Sequence, residues 1–383
     1  MEKYEVIIVG GGASGIMCAL NTMKNTLLIE AGDRIGKKIL ATGNGKCNLT
    51  NDTVSDVNYN TPLVVPYLQQ FNQIETLKYF ESLGIYTYAD SEGRRYPLSN
   101  SANTVLDMML LALQRKHNVK VCVNTVPLKI TSVDGAFSVM TKDQTYVCDK
   151  LVLAMGGNSG TQYLQQLKIN YQTFHPSLVG LKTNRNKGLA GVRVSNVRVK
   201  FQSFDEVGEV LFKEDGLSGI VVFNLSAYMA RHRIKTGTIS LDLLSQVPTN
   251  QLRQMIQASF YHHPDYFLTE ILTGILHKSL AKNLVEKMSL TQAKAQDCLA
   301  KIINDLVDLI KNYPIVMHGY SDNYQVHTGG VNLDNLDEHL QHRQIKNLFF
   351  IGEIINVDGY CGGYNLQWAW TSGKLVANHI NQK

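Results

Sequence analysis

The chain lacks long apolar runs: the longest among its 383 residues, Val6–Val9 and the interrupted Leu106–Leu113, fall far short of the ~20 residues that cross a bilayer. That excludes a membrane-spanning helix and predicts no contact with membranes. Met1–Tyr4 leads straight into a strand, Glu5–Val9, that processing would destroy, so no signal peptide is expected and the reading is a soluble, cytoplasmic protein. Cysteine is scarce and scattered. Cys18, Cys47, Cys122, Cys148, Cys298 and Cys361 form no C-x-x-C pair, which argues against a disulfide framework or a zinc site. The adjacent His262 and His263 have no acid or cysteine at ligand spacing, so no metal is expected. Charge of one sign is also weak, since a net +5 does not by itself argue for nucleic acid. There is no internal repeat, no low-complexity tract and no second G-x-G-x-x-G. With 44% hydrophobic and 18% charged residues, the composition is that of an ordinary globular chain and excludes a disordered one. Thirty glycines against eight prolines point to many close backbone approaches.

What is present begins with a β-turn-α-β pattern: apolar Val6–Val9, the turn Gly10–Gly12, a short helix from Ala13, then Thr26–Glu30. A Gly/Asn/Lys loop fills 36–51. Helical spacing covers Gln73–Leu83 and Asn103–Arg115, and Val119–Asn124 reads as a buried strand. Leu128–Val147 suggests a three-stranded antiparallel meander, followed by a buried strand, Lys150–Ala154. Beyond Tyr171 the character changes. Leu178–Leu243 reads as short strands with glycine turns and Gln251–Lys311 as helices, before a buried strand (Asn347–Ile351) and a terminal helix (Leu366–Asn381) return to the first style. The fold class is therefore α/β. A Rossmann-like domain over 1–170 and 320–383 is interrupted by a β-rich insert over 171–245 and a helical insert over 246–319.

The turn Gly10-Gly11-Gly12-Ala13-Ser14-Gly15 follows a strand, opens a helix and precedes Glu30, at the end of the next strand, by 20 residues. That context is what dinucleotide binding demands. Gly10 permits the tight turn, Gly12 lets a pyrophosphate approach the backbone, and Gly15 lets helix and strand pack closely. Ser14 lies within the same turn, and the helix N-terminus offers N–H groups to phosphate. Glu30 is placed to accept from the adenosine ribose hydroxyls. This pattern leaves NAD and FAD both open.

Longer segments decide between them. Thr42-Gly43-Asn44-Gly45-Lys46-Cys47-Asn48-Leu49-Thr50-Asn51 resembles an S-G-G-G-R-C-N-x-T-N loop, and Gly93-Arg94-Arg95-Tyr96-Pro97 resembles a G-R-x-F-P turn. Phe350-Ile351-Gly352-Glu353 carries a G-E turn, and Asp358–Ala369 resembles a D-G-x-x-G-G-Y-N-x-Q-W-A block. Together they resemble a family of bacterial FAD-dependent oxidoreductases, the BaiN/RdsA-like and aminoacetone-oxidase-like flavoproteins, from end to end. The resemblance implies a flavoprotein of the two-dinucleotide-binding-domain type with non-covalent FAD. It implies that Glu353, after Gly352, meets the ribitol hydroxyls, and that Gly362 and Gly363 bring N–H groups to the flavin, with Asn365 and Leu366 flanking it. It places Thr42, Gly43, Gly45 and Asn48 around the flavin's other side, Lys38 near the phosphates, Gly156 at the end of its strand, and Val126 at the adenine. Members reduce conjugated double bonds, including a uridine in ribosomal RNA, or oxidise small amines.

The chain departs from that pattern at four points. The exit of the first helix is short, over Asn21–Asn25. An S-T-G-D-G-Y segment is missing after Gly160. Phe212–Ile220 loses the histidine of F-T-H-x-G-x-S-G-P, and Ser101 stands where lysine is common. No catalytic acid is assigned: Cys361, Cys47 and His327 read as packed or hydrogen-bonded residues. NAD(P)H would dock transiently as reductant. From Lys182 to Thr238 ten basic residues face five acidic ones, a net charge equal to that of the whole chain, either a solvated strand face or an RNA contact over 182–235. The function read from all this is an FAD-dependent oxidoreductase, NAD(P)H-linked, moving hydride to a conjugated C=C. The alternatives are an amine oxidase that makes peroxide and a flavin-containing RNA-binding factor without turnover.

Overall fold

The computed structural model describes residues 2–133, 135–322, 324 and 326–382. It divides into two compact units, 1–175 with 326–383, and 176–325.

The first unit is built on a sheet whose central strand, Glu2–Val9, pairs in parallel with Thr26–Ile29 on one side and Thr145–Leu153 on the other. Its Val6, Ile7, Ile8 and Val9 are at most 2% exposed, as a parallel strand covered on both faces requires. Val119–Cys122 extends the sheet beyond Thr26–Ile29, and Leu348–Phe350 pairs in parallel with the far end of Thr145–Leu153. The antiparallel meander (Lys129–Val133, Ala136–Met140) joins the near end of that same strand. One strand thus serves as the last of the meander and as a member of the parallel sheet. Val119–Cys122, read from its apolar run as buried, is instead an edge strand, with Val121 37% and Val123 38% exposed.

The first helix, Ala13–Asn21, lies against the terminal helix, Tyr364–Gln382. Only a glycine fits at position 373: a Cβ there would lie 2.5 Å from the Ser14 carbonyl oxygen and 3.1 Å from Met17 Cβ. The terminal helix also reaches the 47–50 loop. Trp370 Nε1 donates to the Leu49 carbonyl at 2.9 Å, and Thr50 Oγ1 donates to Gln367 Oε1 at 2.6 Å. Gln367 Nε2 in turn reaches the Phe71 carbonyl and Thr76 Oγ1, so this buried amide is satisfied on both sides.

The second unit is a closed barrel, in the order Leu181–Thr183, Gly216–Ser218, Phe204–Lys213, Arg193–Phe201, Gly237–Asp242, Tyr313–Tyr320. Helices between Thr249 and Lys311 connect its last two strands. Their buried residues, such as Leu252, Leu284 and Leu306, share one core with Val199, Phe212 and Ile239 of the barrel. Within the stretch read as strands, Ile220–Arg231 is a helix. Gly219, at φ +119°, breaks the preceding strand, and Val221, Leu225 and Met229 then recur at helical spacing on the buried side. No helix among the described residues is long and apolar enough to cross a membrane.

Candidate FAD site

The Gly10–Gly15 turn leaves the central strand where the parallel sheet reverses its strand order, the place where open α/β sheets bind nucleotides. Its glycines do different work. Gly10 sits at φ +110°, and a Cβ on it would come within 2.8 Å of Met155 Cα, against the Ala154 backbone. A Cβ on Gly15 would strike the Gly10 carbonyl. A Cβ on Gly12 would meet nothing within 4 Å. Gly12 therefore faces open space at the start of a helix that has no side-chain cap, where the first N–H groups point outward. Glu30 closes the turn from the next strand: Gly11 N–H donates to its Oε2 at 2.8 Å and Gly32 N–H to its Oε1 at 2.7 Å. Thr125 N–H donates to the Glu30 carbonyl, which places Val126, 46% exposed, beside that strand end. Ser14 is buried, with its Oγ against Gly352.

A second group converges on Glu353. Its Oε2 accepts from Lys38 Nζ at 2.7 Å and Gly157 N–H at 3.2 Å, and its Oε1 from His327 N–H at 2.6 Å. Gly156, at φ +76°, approaches the same carboxylate. Burial works to raise the Glu353 carboxyl, but the Lys38 ammonium and His327 outweigh it and hold it down to about 2. Glu353 is thus a permanent anion joining three segments. Lys38, expected near phosphate, has its ammonium on this carboxylate.

The third group comprises the 42–48 loop and the C-terminal glycines. Thr42 Oγ1 donates to the Ile39 carbonyl at 2.6 Å, and Gly43 and Gly45 take φ +56° and +84°. A Cβ on Gly43 would lie 2.7 Å from Asn48 N. A Cβ on Gly363 would lie 2.6 Å from the Thr50 carbonyl oxygen and 2.8 Å from Asn48 Oδ1. That Asn48 oxygen is buried and has no hydrogen-bond partner. A buried acceptor without a donor is costly, and a donor on a molecule bound in the cradle would satisfy it. The N–H groups along a flavin's pyrimidine edge are donors of that kind. The open face of Gly12, the Glu30 carboxylate and the unpartnered Asn48 oxygen fit FAD. Asn365 is used differently: it accepts from Gly359 N–H and donates to the Gly359 carbonyl, both at 2.9 Å, and so closes the 359–365 loop. Leu366 packs at the margin of the core.

Burial pushes the Cys361 thiol up to about 11 and the Cys47 thiol up to about 12, so neither is a thiolate at neutral pH. Sequence reasoning passed over Tyr96. Its ring edge, Cε1, would lie 3.3 Å from a Cβ on Gly43. The available signal was a tyrosine in the place of the phenylalanine of G-R-x-F-P.

Comparison with known proteins agrees with this geometry. The family model described as HI0933-like protein Rossmann domain matches residues 4–379. The chain is 32% identical to a 3-dehydro-bile acid delta(4,6)-reductase of Clostridium scindens, covering 96% of this chain and 97% of that protein. It is 29% identical to a ribosomal RNA dihydrouridine synthase of Escherichia coli, covering 99% and 98%. Among solved structures, a 3-ketosteroid delta1-dehydrogenase from Sterolibacterium denitrificans shares the fold at TM-score 0.52 and 12% identity, with 100% of both chains covered. An E. coli quinol fumarate reductase FrdA does so at TM-score 0.51 and 14% identity, over 100% of this chain and 71% of that one. The chain belongs to the HI0933-like Rossmann-domain family and is an FAD-dependent oxidoreductase.

Proposed function

We propose that this oxidoreductase holds FAD non-covalently and reduces a C=C bond conjugated to a carbonyl, drawing electrons from NAD(P)H that docks transiently. The observation that carries the cofactor half is the unpartnered, buried Asn48 oxygen beside Gly363, together with the open face of the Gly12 turn. In this reading Gly10, Gly12, Ser14 and Gly15 form the pyrophosphate end, and Glu30 and Val126 the adenosine end. Gly156, Gly352, Glu353 and Lys38 form the ribitol stretch. Thr42, Gly43, Gly45, Asn48, Gly363, Asn365 and Leu366 surround the flavin. When bound, FAD supplies the hydride chemistry; these residues hold and orient it.

The substrate half rests on chemistry shared by two relatives. The C. scindens protein is named a bile acid delta(4,6)-reductase and the E. coli protein a dihydrouridine synthase. Both names describe saturation of a C=C bond in a carbonyl-bearing ring. The test is anaerobic consumption of NADH or NADPH with 2-cyclohexen-1-one or uridine present. Consumption that depends on the acceptor supports the reading; peroxide formed in air from a small amine, with no such consumption, overturns it in favour of an oxidase.

A second reading places the reducible bond in an RNA uridine, and the basic excess of 182–235 favours it. Four of those bases are already paired: Lys182 with Asp322, Arg185 with Glu214, Arg193 with Glu209 and Arg198 with Asp205. Among the described residues Lys187, Lys200, Lys213, Arg233 and Lys235 have no ion-pair partner, and they would carry the phosphate contacts.

A further inference from the structure

We propose that the Tyr96 hydroxyl is the hydrogen-bond donor to the oxygen of the carbonyl conjugated with the bond being reduced, and that it determines which substrates this chain accepts. The inference rests on the reductase reading above. It starts from where the fold puts the phenol. Arg94–Pro97 is the middle strand of a small antiparallel sheet, in which Arg95 pairs with Thr50 and Tyr96 with Tyr88. Thr50 is the residue whose carbonyl abuts Gly363, and Gly43, against which the Tyr96 ring lies, abuts Asn48. Tyr96 therefore borders the cradle that holds the unpartnered Asn48 oxygen.

The strand is held by ion pairs at the two residues that precede the tyrosine. Arg94 Nε pairs with Asp90 at 2.6 Å and its NH1 with Glu92 at 3.1 Å, and Arg95 Nε pairs with Asp52 at 2.6 Å. A residue held this way is placed, not merely nearby.

The hydroxyl itself is unused. In the same unit the hydroxyls of Tyr4, Tyr59, Tyr67, Tyr88 and Tyr163 each donate to an oxygen of the protein. The half-buried Tyr96 makes no such bond among the described residues. A partly buried phenol with no internal partner is free to donate to a ligand that displaces water from it. Burial raises its pKa, so at neutral pH it carries the proton that a donor needs. As the β-carbon of a conjugated carbonyl accepts hydride, negative charge gathers on the carbonyl oxygen, and a fixed neutral donor stabilises it where it develops. The α-carbon then takes its proton from water to complete the saturation.

The test compares FAD-loaded wild type with Tyr96→Phe, which removes one oxygen atom and keeps the ring. Titration of the oxidised proteins with 2-cyclohexen-1-one, followed by flavin absorbance, gives affinity without turnover. Anaerobic reoxidation of the dithionite-reduced proteins by the same enone, by uridine and by ferricyanide gives rates. We expect Tyr96→Phe to keep its FAD, to bind the enone about tenfold more weakly and to be reoxidised by the carbonyl probe on the order of 100-fold more slowly, with ferricyanide unchanged. Equal enone affinity and rate in the two proteins overturn the donor role and leave the reductase reading standing. Loss of FAD from Tyr96→Phe overturns it by making the phenol a cofactor ligand. Failure of both carbonyl probes to reoxidise wild type, while ferricyanide succeeds, overturns the reductase reading and the donor role with it.

Discussion

In the nucleotide-binding unit one carboxylate, Glu353, gathers Lys38 and two backbone N–H groups, whereas on two neighbouring barrel strands Arg193 pairs with Glu209 and Arg198 with Asp205 in exposed positions. In the first arrangement the carboxylate is mostly buried beside a half-exposed lysine, and its pKa is shifted. The second lies in high dielectric, where such pairs contribute roughly 0–1 kcal/mol. Charge counted along the sequence therefore misleads in the barrel, because the neutralising acids sit on the neighbouring strand, some seven to sixteen residues away. In the first unit the functional signal is carried by backbone conformation, which local sequence does report.

The contrast can be broken at four places. The largest effect is expected from Gly12→Val. No FAD should survive purification, yet the unfolding free energy should change by less than about 0.5 kcal/mol, because the new side chain enters open space. Gly10→Ala is its opposite: a Cβ there meets the Ala154 backbone at φ +110°, so the fold itself should weaken by about 2 kcal/mol or more. Comparing flavin content with urea unfolding separates the two.

Next comes Glu353→Gln. The carboxyl is held at about 2 in the fold against an ordinary 4.5, so its stabilisation is complete above pH 4.5 and fades as pH falls towards 2. The variant should lose about 3 kcal/mol at neutral pH and show a flatter stability profile between pH 5 and about 2. A profile as steep as that of wild type would show that other carboxylates carry the acid sensitivity.

Glu30→Ala should weaken FAD binding by only about 1–3 kcal/mol, since it removes charge-assisted hydrogen bonds while the Gly12 face stays open. Equilibrium titration of apoprotein with FAD checks this. The smallest effect is expected from replacing Arg193, Arg198 and Lys200 together by Ala. Two of the three already face Glu209 and Asp205, so the salt dependence of any RNA affinity should fall by about one phosphate contact, not three. Flavin content should stay normal.

These cases show what a sequence discloses. The Gly10–Gly15 turn and the Gly362–Gly363 block were legible because each needs backbone that only glycine adopts or spaces that only glycine leaves. The helix Ile220–Arg231 was not, because its apolar residues match a strand-rich neighbourhood until Gly219 turns the chain. The exposure of Val121 and Val123 was hidden too, since a valine-rich strand reads as buried whether or not a neighbour arrives. Lys38 was placed near phosphate by the family resemblance, and only the fold shows Glu353 within 2.7 Å of it from 315 residues away.

The central claim, that the two ends of the chain build one non-covalent FAD site, is tested most directly by the flavin that purified protein releases on heat denaturation. The account predicts yellow protein that releases FAD in about equimolar amount, with Gly12→Val releasing none while remaining folded. Release of FMN, flavin that stays attached to the denatured chain, or equal FAD content in Gly12→Val would contradict it.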